Sequence, residues 1–473
     1  MKLPRWGDSV SLVIWEEDEP MMGIQAAPEQ LFYDFCLEDH VPGDNMLRRI
    51  DDFLDLDDIR RELKPFYCAI GRPSVDPALM IRMLVIGYCF GIRSERRLCE
   101  EVHLNLAYRW FCRLGLDGKV PDHSTFSLNR NGRFRQSNIL RHLFETVVHR
   151  CLAEGLVGGD GFAVDASLIQ ADANKRRSVP GDEWSVDNIR GHASKSVKDY
   201  LATLDDAAFG AASEVTPKFI SPSDPAAQWT GALRGPAFFA YATNYLVDTE
   251  NAIIVDVEAS RAIRQAEVGA ARTMIERTEE RFALKPKRLA GDTAYGAAPM
   301  LAWLVKEKRI APHIPVFDKS KRDDGTFSRA TFTFDQKHNV YVCPQGKTLK
   351  TSGRILSDNT YRYLASTYDC GPCPLKQQCC PNTPQRKIPR DINEDARDVA
   401  RSLYETPAFA QSRRERKKVE MLFAHLKRIL KLGRLRLRGP CGARDEFLLA
   451  ATAQNLRKLA KLRPKLPPTP QPA

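Results

Sequence analysis

Apolar positions recur at helical spacing through the first third of the chain, turn strand-like through the middle, and return to helical spacing near the end. From residue 23 to about 155 the helical period is interrupted at Gly71-Arg72-Pro73, Gly91 and Pro121. The longest apolar stretch, 78–92, is too short to cross a bilayer and contains Arg82, so it predicts a buried helix. Residues 94–102, 105–114 and 123–131 predict three short helices with tight connections, a spacing common to helix-turn-helix units and to plain bundles. From Gly158 the pattern changes. Residues 162–169 read as an apolar strand with Asp165 inside it, 172–235 as mostly loop, and 237–248 and 252–259 as two strands joined at Thr249, Glu250 and Asn251. A helix over 264–281 and a short strand over 288–291 then bring the chain to Asp292. Strand, hairpin, helix, strand in that order predicts an α/β fold, a mixed sheet with flanking helices.

The same pattern divides the chain. Residues 1–22 hold only a brief apolar run, followed at once by Glu16 to Glu19, with Met21 and Met22 as alternative starts. They do not resemble an export signal and are expected to stand outside the fold as a poorly ordered N-terminus. A helical domain over 23–155 precedes the first part of a catalytic domain, 156–309. A β-rich, cysteine-containing insertion follows over 310–395, then a helical region over 396–462 that completes the catalytic domain. The tail, 463–473, is rich in proline and is expected to be disordered.

Composition changes this picture in one respect. The formal net charge is +11, and much of it sits in one place: residues 411–440 hold eleven Arg and Lys against Glu415 and Glu420 alone. Concentrated charge of that kind suits a polyanion surface, although a solvated basic helix reads the same way. In a chain without an export signal, twelve cysteines point to a reducing cytoplasm rather than a disulfide framework.

The segment around Glu420 carries the candidate chemistry. Val419, Leu422, Phe423, Leu426, Ile429 and Leu430 form an apolar stripe at helical spacing. At about 100° per residue, Arg413, Arg416, Glu420, Lys427 and Lys431 fall along one flank of it. Ordinary salt bridges would produce that row, and so would a metal-binding carboxylate set among phosphate-gripping cations. Two aspartates favour the second reading. Asp165 lies in an apolar strand, where an unpaired carboxylate is costly, and Asp292 follows a strand end, where acids from distant segments can converge. Asp165, Asp292 and Glu420 together would suit Mg²⁺ (or Mn²⁺), which take oxygen ligands and activate a water or hydroxyl for in-line displacement at phosphorus. Asp160, Asp172, Asp248 and Asp256 remain rival acids on spacing alone.

At these residues the chain resembles the DDE transposases of bacterial insertion sequences, whose catalytic domain is RNase H-like. Gly71-Arg72-Pro73-Ser74, residues 91–98, residues 105–111 and residues 121–126 are similar to the helical domain that precedes catalysis in that family. Val164-Asp165-Ala166-Ser167 resembles the first-aspartate motif and Asp292-Thr293-Ala294-Tyr295-Gly296 the second. Arg416, Glu420 and Lys427 match an Arg-x3-Glu-x6-Lys signature. Arg413 stands where related families often carry a tyrosine. The resemblance implies a transposase that binds the inverted repeats of an element, hydrolyses its ends with two metal ions and joins 3′-OH ends to target DNA. It further implies a homodimer on paired DNA ends, acting at the bacterial nucleoid, with Arg416 and Lys427 on phosphates near the scissile bond. A catalytically inactive DNA-binding regulator derived from such an enzyme is the alternative.

The third region supplies a separate candidate. Cys370-x2-Cys373-x5-Cys379-Cys380, with Cys343 upstream, resembles a small metal knuckle that could hold structural Zn²⁺, and family members carry a similar cluster; reduced thiols packing a small β unit would give the same spacing. His123 and His313 read as structural groups.

Overall fold

Strand β1 (Gly161–Gln170) lies at the centre of a six-stranded mixed sheet. It pairs antiparallel with β3 (Phe238–Asp248), and β2 (Gln228–Thr230) and β4 (Ile254–Arg261) share the far edge of β3. On its other side β1 runs parallel to β5 (Arg288–Ala290), which is parallel in turn to β6 (Ala311–His313). The computed structural model describes residues 35–67, 74–185, 193–209, 215–231, 235–317 and 324–462. Residues 1–22, the break at Gly71-Arg72-Pro73 and the tail at 463–473 lie outside the described residues.

Strands β3 and β4 are buried at nearly every position, as strands are when both faces of a sheet are covered. The Arg264–Phe282 helix packs on β3 and β4, and the last helix, Gly439–Leu462, packs on β4. Residues 446–456 of that last helix are all buried, so it runs through the interior with neighbours on every side. It also contacts Pro77–Cys89 and Ile139–Ala153, so the N-terminal helices and the sheet share one hydrophobic core. Asn455 secures it: the Ile254 N–H donates to Asn455 Oδ1 (2.9 Å), and Asn455 Nδ2 donates to the Ile254 carbonyl (2.8 Å).

Polar side chains of β4 face a second seam. Asp256 accepts from Arg141 of the Ile139–Ala153 helix (2.5 Å) and from Arg277 of the Arg264–Phe282 helix (2.8 Å), while Glu258 pairs with Arg277 at 2.8 Å. The Gly91 to Ser94 turn closes a third. Gly91 has φ of 69°, and a Cβ there would come within 2.7 Å of the Ile429 carbonyl, so only glycine fits. Arg93 ion-pairs with buried Glu446 of the last helix and lies over Tyr88.

The predicted helices at 94–102 and 105–114 form as Glu95–Leu104 and Leu106–Phe111, capped by Ser94 and Asn105. Residues 123–131 form Ser124–Asn129 and continue into a wider turn, Arg130–Phe134. The basic segment departs from its predicted course. A break at Arg416 separates Pro407–Glu415 from Lys417–Arg428, and Lys431 has φ of 57°, beyond the helix end. Arg413 and Lys431 therefore do not continue the row of Glu420 and Lys427. Val419, Leu422, Leu426 and Leu430 are buried, but Ile429 is exposed.

Residues 333–391 contribute a separate five-stranded antiparallel meander: β7 (Thr333–Asp335), β8 (Val340–Val342), β9 (Thr348–Ile355), β10 (Thr360–Leu364) and β11 (Lys387–Asp391). Its small core of Phe332, Tyr341, Leu349, Tyr363, Ala365 and Ile388 has Cys343, Cys370 and Cys379 packed against it. Among the described residues no helix is long and apolar enough to cross a membrane.

Candidate active site

Register places the first two acids side by side. Ala163 of β1 aligns with Ala290 of β5, and Asp165 and Asp292 each lie two residues further on. Adjacent strands lie about 4.8 Å apart; Asp165 continues along β1 while Asp292 lies just past the end of β5, so the two acids come from neighbouring strands at the same end of that pairing. The chain continues past Asp292 into a tight turn, Thr293–Tyr295, which Asp292 caps by accepting from the Ala294 N–H at 2.8 Å. Gly296 ends the turn where a Cβ would meet the Pro315 carbonyl at 2.0 Å, which explains the glycine in that motif.

Asp165 is largely enclosed, with its side chain 17 % exposed. One oxygen accepts from the Ala166 N–H (2.9 Å) and the other from Arg416 Nη2 (3.2 Å). Burial pushes its carboxyl above the ordinary aspartate range, the Arg416 guanidinium pulls it back, and the Asp292 charge adds to the upward push. Arg416 is thus seated on an acid at the junction of the two basic helices.

Glu420 is placed differently. It lies exposed in the first turn of Lys417–Arg428, one helical turn beyond Arg416. The same helix rests on the sheet face that carries Asp165: Phe423 packs on Tyr245 at 5.4 Å, and Tyr245 is the cross-strand partner of Asp165. Lys427 is half-buried, and that burial lowers its ammonium pKa. Arg413 and Lys431 are exposed, as are Arg414, Lys417, Arg428, Arg434, Arg436 and Arg438. Lys418 is tied down, donating to the carbonyls of Thr249 (2.9 Å) and Glu250 (2.8 Å) in the hairpin turn.

The rival acids all have other partners. Asp160 pairs with Lys287, Asp172 with Arg434 and Arg438, and Asp256 with Arg141 and Arg277. Asp248 accepts from the backbone N–H groups of Glu250 and Asn251 and so holds the hairpin turn. His313 is structural as expected, buried and 2.7 Å from Ser412 Oγ.

One acid escaped the sequence reading. Glu267, in the first turn of Arg264–Phe282, is raised by burial and then by the charges of Asp292 and Asp165. Its only signal in the sequence is an acidic residue opening the helix after the hairpin, a position many helices fill for capping alone.

The hard oxygen donors of Asp165 and Asp292 suit a divalent cation. At their recorded positions, however, no three or more His, Cys, Asp or Glu among the described residues are grouped so as to hold an ion. That applies equally to the cysteines, although Cys343, Cys370, Cys373, Cys379 and Cys380 all line one cavity of about 30 Å³. None of the described cysteines forms a disulfide, and burial raises the thiols of Cys370 and Cys379, the latter to about 11.

Residues 35–132 match a family described as a transposase domain (DUF772), and residues 342–460 match one described as a transposase DDE domain. The second match covers Arg416, Glu420, Lys427 and the five cysteines, whereas Asp165 and Asp292 fall between the two. No solved structure matches the chain. A transposase domain matched towards each end, with Asp165 and Asp292 between the two, supports a DDE transposase of insertion sequences.

Proposed function

We propose that the protein binds the inverted repeats of its element as double-stranded DNA, hydrolyses phosphodiester bonds at the element ends, and transfers the resulting 3′-OH ends to target DNA. The observation that carries this reading is the parallel register that ends at Ala163 and Ala290, each two residues ahead of an aspartate, Asp165 and Asp292, with Arg416 already bound to Asp165. A mixed sheet in which β1 is antiparallel to β3 and parallel to β5 supports an RNase H-like catalytic domain, preceded by a DNA-binding and dimerising helical domain over 23–155.

Asp165 and Asp292 would hold Mg²⁺ or Mn²⁺, with Glu420 as the third acid, and the bound metal would lower the pKa of the attacking water and stabilise the leaving oxygen. The chain's own groups set the rest of the chemistry. Asp165 and Asp292 present acceptor oxygens from neighbouring strands, and the partly enclosed setting of Asp165 keeps them poorly hydrated. Arg416 neutralises Asp165 and is placed to pass to a phosphate oxygen, for which its planar fork is suited. Glu420 stands one turn from Arg416 on the same side of the sheet as Asp165. The exposed cations on either side of that helix grip the DNA backbone without reading its sequence.

Incubating the protein with Mg²⁺ and end-labelled inverted-repeat DNA tests the reading: nicking at the repeat end is expected, and binding without nicking would identify a regulator instead. Glu420→Gln is expected to slow nicking about a hundredfold or more, since it removes one anionic metal ligand worth several kcal/mol. Because Glu420 is exposed, unfolding and DNA binding should not change; undiminished nicking would show that another acid completes the set.

The cysteine cluster supports a second metal with a structural role. Five thiols around one small cavity, at the edge of a meander with a core of only six buried residues, suit Zn²⁺ as a staple remote from the acids. About one zinc per chain is expected by elemental analysis; a folded, zinc-free chain with all thiols titratable would leave them as packing groups.

A further inference from the structure

A groove of about 840 Å³ opens at the far end of β1, beside Leu168 and Gln170. Its apolar wall is aromatic, with Trp229 from β2 and Phe238 and Phe239 from β3. Phe239, the cross-strand partner of Trp229, fixes that ring at 5.0 Å, and Phe219 does so at 5.5 Å, both in T-shaped contacts. Trp229 is nevertheless not closed off. It stays partly exposed, and what lies over its ring is the Lys175 ammonium, at 5.1 Å. A tryptophan placed only for packing would be covered by apolar side chains; here an exposed lysine, easily displaced, covers it.

The mouth of the groove is positive. Lys175 opens an exposed run, Lys175-Arg176-Arg177, and Arg434 and Arg438 stand on the opposite side. Both arginines pair with one acid, Asp172, at 2.8 and 3.0 Å, and both remain about half exposed. Three lining cations thus share a single lining carboxylate, and exposed pairs of this kind yield readily to a phosphate. The groove is also tied to the catalytic strand. The Leu435 N–H donates to the Gln170 carbonyl at 2.8 Å, which fastens the segment after Lys417–Arg428 to the end of β1. Gln170 lies five residues beyond Asp165 on that strand. Five extended residues span about 17 Å, a distance that a stacked DNA strand covers in about five nucleotides.

We propose that this groove binds an unpaired stretch of DNA close to the cleavage point, its bases stacked on Trp229 and its phosphates on Lys175, Arg434 and Arg438. It rests on the reading of DNA as the substrate, and adds to that reading a separation of the two strands beside the cut. In a duplex each base face is covered by its neighbours, so only an unpaired base can offer a face to Trp229. The incoming base takes the place of the Lys175 ammonium, and Arg434 and Arg438 pass from Asp172 to the phosphates. Every base has such a face, so the groove favours no particular sequence.

The test is binding of a fluorescein-labelled oligothymidylate to the DNA-free full chain, followed by anisotropy, with a fully paired duplex of equal length for comparison. Wild-type protein is expected to bind the single strand. Trp229→Ala is expected to weaken that binding about tenfold or more while duplex binding changes by less than about twofold. Lys175→Ala, at an exposed position that the fold does not need, is expected to weaken single-strand binding several-fold and to flatten its salt dependence. An oligonucleotide carrying 5-iododeoxyuridine is expected to crosslink, on illumination of the unaltered protein, within the peptide that contains Trp229. Far-ultraviolet circular dichroism checks the folding of Trp229→Ala; should it fail, Lys175→Ala and the crosslink carry the test. Undiminished single-strand binding by Trp229→Ala, equal losses on single strand and duplex, or crosslinks only elsewhere would each overturn the groove. A wild-type chain that nicks repeat ends yet binds no oligothymidylate overturns it too, and leaves the catalytic reading standing. Single-strand binding at Trp229 without nicking supports the groove and removes the catalytic reading.

Discussion

Asp165→Asn is expected to lower the rate of strand cleavage about 10⁴-fold, some 5–6 kcal/mol of transition-state stabilisation, while leaving inverted-repeat binding intact or slightly tighter. Three properties of the site set the size of the effect. An amide has no charge with which to hold a metal ion, and the remaining acids cannot compensate at a position fixed two residues past the paired Ala163 of β1. Asp165 is also the acid that Arg416 touches, at 3.2 Å. Its loss frees that guanidinium for a DNA phosphate, which is why binding should survive. A cleavage assay and a gel-shift titration on the same end-labelled DNA separate the two. Cleavage within tenfold of wild type would remove Asp165 from the chemistry.

Asp256→Ala is expected to destabilise the fold by about 3–5 kcal/mol, the range for removing one partner of a buried ion pair. The carboxylate is almost fully buried and serves two arginines from two different helices, Arg141 at 2.5 Å and Arg277 at 2.8 Å. Arg277 keeps Glu258 as a partner. Among the described residues Arg141 would keep a hydrogen bond to the Val257 carbonyl and its place over Phe144, but would lose its ion-pair partner. Adding Arg141→Met should recover much of the loss, because a well-packed apolar pair is often as stable as the ion pair it replaces. Urea unfolding of both variants measures the two effects. A single variant as stable as wild type would show that the seam relaxes around the missing charge.

These two aspartates also show what could be read from sequence and what could not. Spacing alone left Asp256 a rival to Asp165, since both lie in strands with apolar neighbours. What separates them is long-range: Arg141 lies 115 residues away and Arg277 on a later helix, and no local pattern reveals either. The strands, the hairpin and the Arg264–Phe282 helix were legible because their hydrophobic periods are strong and local. The row drawn through Arg413, Glu420 and Lys431 was not reliable, because a uniform helical period cannot anticipate the break at Arg416 or the left-handed Lys431. Glu267 was missed for a related reason: its burial, and the charges of Asp292 and Asp165 that act on it, arise only once segments far apart in the chain have folded together.

The last helix has a consequence for how the protein is made. Gly439–Leu462 is the final described element, yet it fills the space between Pro77–Cys89, Ile139–Ala153 and β4. A ribosome releases those earlier segments well before it reaches residue 439, so each nascent chain carries an uncovered apolar face until residues 439–462 have emerged. Products truncated ahead of that helix should be caught by chaperones and proteases rather than persist as DNA-binding fragments. A frameshift ahead of residue 439 would then silence the protein as fully as one near residue 35.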